Sequence, residues 1–412
     1  MNNPQIAHHI SLLTNKDTIV RWLAAQALGQ FGDAISVPAL IKGLKDEDSG
    51  VRSFAAATLG QISDTSAVPA LVEALKDEDS SVRWRTARAL GQIGDTSVVP
   101  ALIATLKDKD NIVRWRSARA LGQINDPTAV PALTEALKNE DSVVRSFAAE
   151  ALGQIGDASA VPALTEVLKD EAVYVRWPTA IALGQIGAAT AVPALTKALK
   201  DKDSFVRLMA AYALRQIGDV SAVPALTEAL KHTDSGVRTS AAAALGQIGD
   251  AAAVPALTQA LKDTYEGVRW QAVQALGKIG DPTAVPALTE TLKDEVNYVR
   301  NSAAKVLGKI GDPFAVPALT EALRNKDRVV RCMAARALGQ IGDASAVPAL
   351  IKEITDKNSA VRRIATDGLG KIGDPSAVPT LVEALKDEDR IVRRFAASAL
   401  EKIGDATAGR AL

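Results

Sequence analysis

Residues 65–95 read Thr-Ser-Ala-Val-Pro-Ala-Leu-Val-Glu-Ala-Leu-Lys-Asp-Glu-Asp-Ser-Ser-Val-Arg-Trp-Arg-Thr-Ala-Arg-Ala-Leu-Gly-Gln-Ile-Gly-Asp, and the 412-residue chain is this stretch repeated. Its Val-Arg arginine, Arg83, recurs every 31 residues from Arg21 to Arg393, 13 times without insertion or deletion. The proline of its Val-Pro pair keeps the same step from Pro38 to Pro379. A fixed period in the range of about 20–50 residues is the signature of a solenoid. In such arrays each unit buries its apolar face only against its neighbours. Small Ala, Leu and Val can then carry the packing, which suits a chain with only 4% aromatic residues.

Each unit holds two apolar patterns. Val68-Pro69-Ala70-Leu71-Val72-Glu73-Ala74-Leu75 has apolar residues at spacings of three and four, which predicts a short amphipathic helix, A. Pro69 fits its first turn, where a missing N–H costs little. Lys76-Asp77-Glu78-Asp79-Ser80 breaks the pattern, and Asp79 or Ser80 can cap a second helix, B. With each repeat's arginine as position 0 and about 100° per residue, positions −1, +3, +6, +7 and +10 form one narrow apolar stripe. Positions −3, −2, +1, +2, +5 and +9 lie opposite and are expected to be exposed or to face a partner. The glycine at +8 yields to Arg215 and Glu401, which predicts an ordinary helical position. At +11 only Ser63 and Asn125 replace glycine, which predicts a left-handed C-cap there.

The repeat resembles the HEAT-like repeat of the phycobilisome-lyase type, AVPALxxALKDxDxxVRxxAAxALGxIGD, over nearly the whole chain. The resemblance implies an all-α solenoid of 13 two-helix repeats, with A helices outside and B helices lining an inner, concave face. It also implies an Asp–Arg ladder between neighbours, for which Asp stands four residues before Arg in nine repeats, as in Asp48 and Arg52. That aspartate is replaced at Ala172, Tyr265, Val296 and Asn358.

The expected organisation is one array over residues 1–412. Residues 1–33 read as a capping repeat, 34–405 as twelve regular repeats, and 406–412 as the incomplete start of another. The last B helix then lacks a complete cover, so a missing domain or another chain is expected against it. Repeat 6 carries Ala172 and Ala188 in place of Asp, and Pro178 two residues after its arginine. That proline predicts a late start to the helix or a bend.

No catalytic constellation emerges, and no cofactor or metal is implied. His8, His9 and His232 form no HExxH. Deoxyhypusine hydroxylase is also built of HEAT-like repeats, but its iron sites use His-Glu pairs, and no histidine here is followed by Glu. The recurring GxIG ends helices rather than starting them, unlike a phosphate cradle. The one cysteine, Cys332, excludes an internal disulfide framework, suits a reducing compartment, and is expected to be exposed. No leader opens the chain and no apolar run approaches the ~18 residues of a membrane span. The expected location is cytoplasmic.

The contrast between repeats carries the functional signal. All five tryptophans stand at +1: Trp22, Trp84, Trp115, Trp177 and Trp270. Tyr174 and Tyr298 stand at −2 and Tyr212 at +5, and 12 of the chain's 15 aromatics share this face. Its charge is lopsided. Fourteen Lys and Arg, including Arg85, Arg88, Arg116, Arg119, Arg336, Arg363 and Arg394, stand against Glu150, Glu266 and Asp367, on a chain whose 48 cations and 48 anions balance. Aromatic and arginine enrichment marks interaction surfaces. The leading expectation is a non-enzymatic scaffold whose basic, aromatic B face holds an acidic protein surface or peptide. The alternatives are a phycobilin lyase-type subunit acting on phycobiliproteins, which the resemblance implies, and a nucleic-acid-binding solenoid, which interleaved arginines and aromatics would allow.

Overall fold

The computed structural model describes residues 4–410, with side chains to residue 404. Among the described residues it is all-helical, with 26 α-helices in 13 A/B pairs and no strand. The chain divides into two compact units, Met1–Ile217 and Gly218–Leu412.

In the first unit the A helices are α1 (Pro4–Leu12), α3 (Val37–Gly43), α5 (Val68–Ala74), α7 (Val99–Thr105), α9 (Val130–Ala136), α11 (Val161–Val167) and α13 (Val192–Ala198). The B helices are α2 (Thr18–Phe31), α4 (Ser49–Ile62), α6 (Ser80–Ile93), α8 (Asn111–Ile124), α10 (Ser142–Ile155), α12 (Val173–Ile186) and α14 (Ser204–Ile217). The second unit has A helices α15 (Val223–Ala229), α17 (Val254–Ala260), α19 (Val285–Thr291), α21 (Val316–Ala322), α23 (Val347–Glu353) and α25 (Val378–Ala384). Its B helices are α16 (Ser235–Ile248), α18 (Glu266–Ile279), α20 (Asn297–Ile310), α22 (Arg328–Ile341), α24 (Ser359–Ile372) and α26 (Arg390–Arg410).

The turns follow from the side chains. Asp64 accepts from the Ser66 N–H and starts a 3-10 turn, Thr65–Ala67, that runs directly into α5. At the other end of α5 the Asp77 carboxylate accepts from the Asp79 N–H at 2.9 Å, which turns the chain. Asp79 then caps α6 by accepting from the Ser81 N–H at 2.7 Å. Ser63 and Asn125 end α4 and α8 at φ 58° and 61°, in the left-handed region, as their place in the glycine position predicts.

Within each unit every B helix packs on the next B helix and on its own A helix. The buried stripe holds the expected −1, +3, +6 and +7 residues, for example Val82, Thr86, Ala89 and Leu90. Position +4, such as Ala87, is buried as well, while Ile93 at +10 is only half-buried. The +8 glycine is an ordinary helical position in its backbone, as expected: Gly91 lies inside α6 and has no positive φ. A Cβ on Gly91 would lie 2.8 Å from the Ala120 Cα, so two B helices touch backbone to backbone there. Arg215 and Glu401 stand at +8 in α14 and α26.

Three further expectations are corrected. Helix α12 does not start late: it spans 14 residues like its neighbours, with Pro178 inside. The carbonyl of Tyr174, which Pro178 cannot reach with an N–H, accepts from the Ser146 hydroxyl of α10 at 2.9 Å. Residues 406–410 do not begin a new repeat but continue α26 through Gly404. No Val-Pro pair follows to start an A helix, and the Ala-rich segment stays helical. Residues 411 and 412 lie outside the described residues.

The third is the ladder. Arg52 does not pair with Asp48, which caps α4 instead. Its Nε and Nη2 donate to both carboxylate oxygens of Asp77, 25 residues on, at 2.7 and 2.9 Å. Its Nη1 donates to the carbonyls of Asp46 and Glu47. One buried guanidinium thereby ties its own turn to the turn of the next repeat. Because the rung aspartate stands six residues before the next arginine, Ala172 does not interrupt it: Arg176 pairs with Asp201 at 2.9 Å.

Candidate interaction surface on the B helices

Position +1 of one B helix meets position +2 or −2 of the next. Trp22 lies edge-on to Phe54 with ring centroids 5.0 Å apart, and Trp177 edge-on to Phe205 at 5.4 Å. Trp115 stacks on Phe147 at 4.7 Å. Such pairs form because the helices approach at the +8 glycines and bring these side chains within reach of one another.

Between α4 and α10 the contacts become a continuous stack of rings and guanidiniums. Arg85 lies 4.2 Å from the Phe54 ring and 5.0 Å from Trp84. Arg116 lies 5.2 Å from Trp84 and 4.0 Å from Trp115. Arg119 reaches Phe147 at 5.9 Å. Cation–π contacts of this kind are worth about 0.5–1 kcal/mol when exposed and ~2 kcal/mol when desolvated. Arg85 also donates to the Ser53 hydroxyl at 2.6 Å. Among the described residues none of Arg85, Arg88, Arg116 and Arg119 has a carboxylate partner. Burial pushes Arg85 and Arg116 below the ordinary arginine value, and the neighbouring Arg88 charge adds to it.

The expectation that Trp84, Trp115, Arg85 and Arg116 are freely exposed is therefore corrected: all four are half-buried, because they cover one another. Trp22 and Trp177 are half-buried too. Arg88 and Arg119 are exposed, as are Tyr174 and Tyr212. The hydroxyl of Tyr174 shares a hydrogen bond with Ser142 at 2.6 Å.

Among its described residues the second unit shows no such stack. Trp270 is 39% exposed, with Ser302 at the +2 position of the next B helix and Tyr298 at −2. Tyr298, Arg336 and Arg394 are exposed and Arg363 half-buried. Cys332 is buried, and burial pushes its thiol up, so the expected exposed thiol is corrected.

Between α6 and α8 a cleft of about 270 Å³ is lined by Arg88, Gln92, Arg116, Arg119, Ala120 and Gln123. A larger hollow of about 650 Å³ lies between α11 and α13, and a similar one of about 570 Å³ between α7 and α9. These larger spaces recur between A helices and carry both signs of charge, so they are features of the repeat. The arginine cleft occurs where the sequence departs from the repeat.

The pattern of HEAT repeats matches in eight overlapping spans, 6–81, 37–112, 68–145, 99–177, 162–246, 226–306, 292–352 and 347–412. The chain belongs to the HEAT-repeat family. The phycobilisome-lyase branch of such repeats is a finer assignment that this match does not make. No curated protein is similar enough in sequence to match. Among solved structures this HEAT-repeat chain is similar to Kap95p, from a study of its binding to RanGDP, with 15% identity and a TM-score of 0.60. The match covers 98% of this chain and 66% of that one. Importin beta matches with 15% identity and a TM-score of 0.60, over 97% of this chain and 68% of that chain. A Kap121p mutant matches with 16% identity and a TM-score of 0.60, over 99% of this chain and 54% of that one. The chain thus spans just under two thirds of Kap95p and about half of Kap121p. At these identities the likeness shows the shared fold. No helix among the described residues is long and apolar enough to cross a membrane.

Proposed function

We propose that this HEAT-repeat protein is a non-enzymatic scaffold whose B-helix face in the first unit binds an acidic protein surface or peptide, in a reducing, cytoplasmic setting. The observation that carries the reading is the stack from Phe54 to Arg119. It holds three guanidiniums, those of Arg85, Arg116 and Arg119, in place by rings and not by carboxylates, and Arg88 stands beside them. Their charge is left for a partner, and their N–H edges match carboxylates in paired geometry. The solenoid fold supports it too, since such arrays present extended surfaces to proteins. An acidic phycobiliprotein would meet the same requirement, but a bilin-transfer role would need chemistry that the buried Cys332 does not offer.

Arg88→Ala with Arg119→Ala is the variant that tests this, because both side chains are exposed and neither has a carboxylate partner among the described residues. Tagged protein is used to capture partners from its host, and those partners are identified by mass spectrometry. The expected result is loss of an acidic partner with an unchanged melting temperature. Lys138→Ala with Lys169→Ala removes two cations paired to Glu135 and Glu166 on the A helices and should leave capture intact. Equal capture by the arginine variant and the native chain would place binding elsewhere. Trp84→Ala with Trp115→Ala is a poorer probe, because removing half-buried rings also unsettles the stack.

A further inference from the structure

The cleft between α6 and α8 has a more specific character than a basic surface. Arg88 and Arg119 stand at the same position of successive repeats, and Arg116 lies with them in the same cleft. No Asp or Glu lines it. Glu150, the next residue in the Arg88–Arg119 row, is engaged by Gln154 at 3.2 Å. The Nε of Arg116 is buried and has no hydrogen-bond partner. Its guanidinium carbon lies 5.2 Å from the Trp84 ring and 4.0 Å from the Trp115 ring, and no carboxylate among the described residues pairs with it. Gln92 and Gln123 add carboxamide N–H donors to the lining.

We infer that Arg88, Arg116 and Arg119, with Gln92 and Gln123, form a subsite for the phosphate monoester of a phosphorylated peptide. The inference rests on the acidic-partner reading above and names the group recognised at its centre. One carboxylate would neutralise one of three cations. A phosphate monoester brings close to two charges and three acceptor oxygens, enough to engage donors from all three guanidiniums. Nucleic acid is the weaker fit. Single strands bind by stacking bases on free aromatic faces, and here Trp84 and Trp115 are already engaged by Arg85, Arg116 and Phe147.

The test is calorimetric titration of the full chain with N-acetyl-O-phosphoserine amide, its glutamate analogue and a short oligothymidylate. Saturable binding of the phosphoserine probe is expected, at least about tenfold tighter than the glutamate analogue, since a charge-assisted hydrogen bond of ~1.5 kcal/mol corresponds to that factor. Arg88→Ala with Arg119→Ala should weaken it by about tenfold or more, while Lys138→Ala with Lys169→Ala should not change it. Absence of saturable phosphoserine binding, equal affinity for the glutamate analogue, or indifference to the arginine substitutions would each overturn the subsite. So would tighter binding of oligothymidylate, which would assign the cleft to nucleic acid. The acidic-partner reading fails separately. If a captured partner is lost with the arginine variant but survives phosphatase treatment, that reading stands and the phosphate subsite falls.

Discussion

Two neighbouring rungs of the first unit differ in the residue that should close them, and the difference separates the two tasks of the repeat's Lys-Asp aspartate. Arg83 donates from Nε and Nη2 to Asp108 at 2.7 and 2.9 Å, and from Nη1 to the carbonyls of Asp77 and Glu78. Arg114, one repeat on, keeps the carbonyl contacts to Asp108 and Lys109, but Asn139 stands where its aspartate belongs. Its Nε is buried without a partner, and its only carboxylate contact among the described residues is the exposed Glu140 at 3.5 Å. Asn139 still makes the turn, accepting from the Asp141 N–H at 3.0 Å as Asp108 does from Asp110 at 2.9 Å. The turn needs an oxygen, and the rung needs a charge.

Breaking the closed rung has the largest expected effect. Asp108→Ala leaves Arg83, 5% exposed, with an uncompensated buried charge. Removing one partner of a buried pair costs about 3–5 kcal/mol. Asn139→Ala removes a turn hydrogen bond worth about 1 kcal/mol. Urea unfolding of the two variants should show that gap. Equal losses would mean that the rung adds nothing beyond the turn.

The next effect tests whether the helix seam makes up for the open rung. Cβ atoms on Gly91 and on Gly122 would lie 2.8 Å from the Cα of Ala120 and of Ala151, respectively. The seam is therefore equally tight on both sides of the comparison. Gly91→Ala and Gly122→Ala should each cost about 1–3 kcal/mol as overpacking. A much smaller cost at Gly122 would show that the α8–α10 seam is looser where the rung is open.

Most of this architecture was legible in the sequence. The period gave the pairs, the two non-glycine caps gave their left-handed φ, and the 100° spacing gave most of the buried stripe. The partner of each arginine was not legible, because turns such as Asp77 to Asp79 offer two aspartates and periodicity does not say which one faces the neighbouring repeat. A signal existed: Arg176 persists beside Ala172, whereas the position six before each arginine is Asp, Asn or His throughout. The +8 glycine was read as helical and is, but the close approach of the next helix there was not legible from one repeat alone. The aromatic face was read from angles within one helix, which cannot show Trp115 stacking on Phe147 of the next.

Closing the open rung is expected to stabilise. Asn139→Asp would give Arg114 the carboxylate that Arg83 has. A hydrogen bond to a charged group is worth about 1.5–3 kcal/mol, and burying the new carboxylate offsets part of it, so a net gain of ~1 kcal/mol is expected. Unchanged urea stability would mean that the α8–α10 turns are too far apart for a rung, whatever residue stands there.

The smallest effect is the pH dependence of that gain. Burial alone would raise the Asp108 carboxyl, but the Arg83 hydrogen bond, the Asp110 N–H and the Arg83 charge outweigh it and hold the group below the ordinary carboxylate value. A group depressed in the folded state contributes its full stabilisation above its unfolded pKa and loses it as pH falls through the folded one. Asn139 does not titrate and contributes no such slope. Asn139→Asp should therefore be more stable than the native chain at neutral pH, with the advantage shrinking as pH drops below about 4, the ordinary carboxylate range. Asp108→Asn should do the reverse, copying the open rung and removing one acid-sensitive contribution. Urea midpoints from pH 7 downward for the three proteins would resolve it. If the Asn139→Asp advantage stays constant with pH, the new side chain stabilises without ionising against Arg114, and charge is not what distinguishes the two rungs.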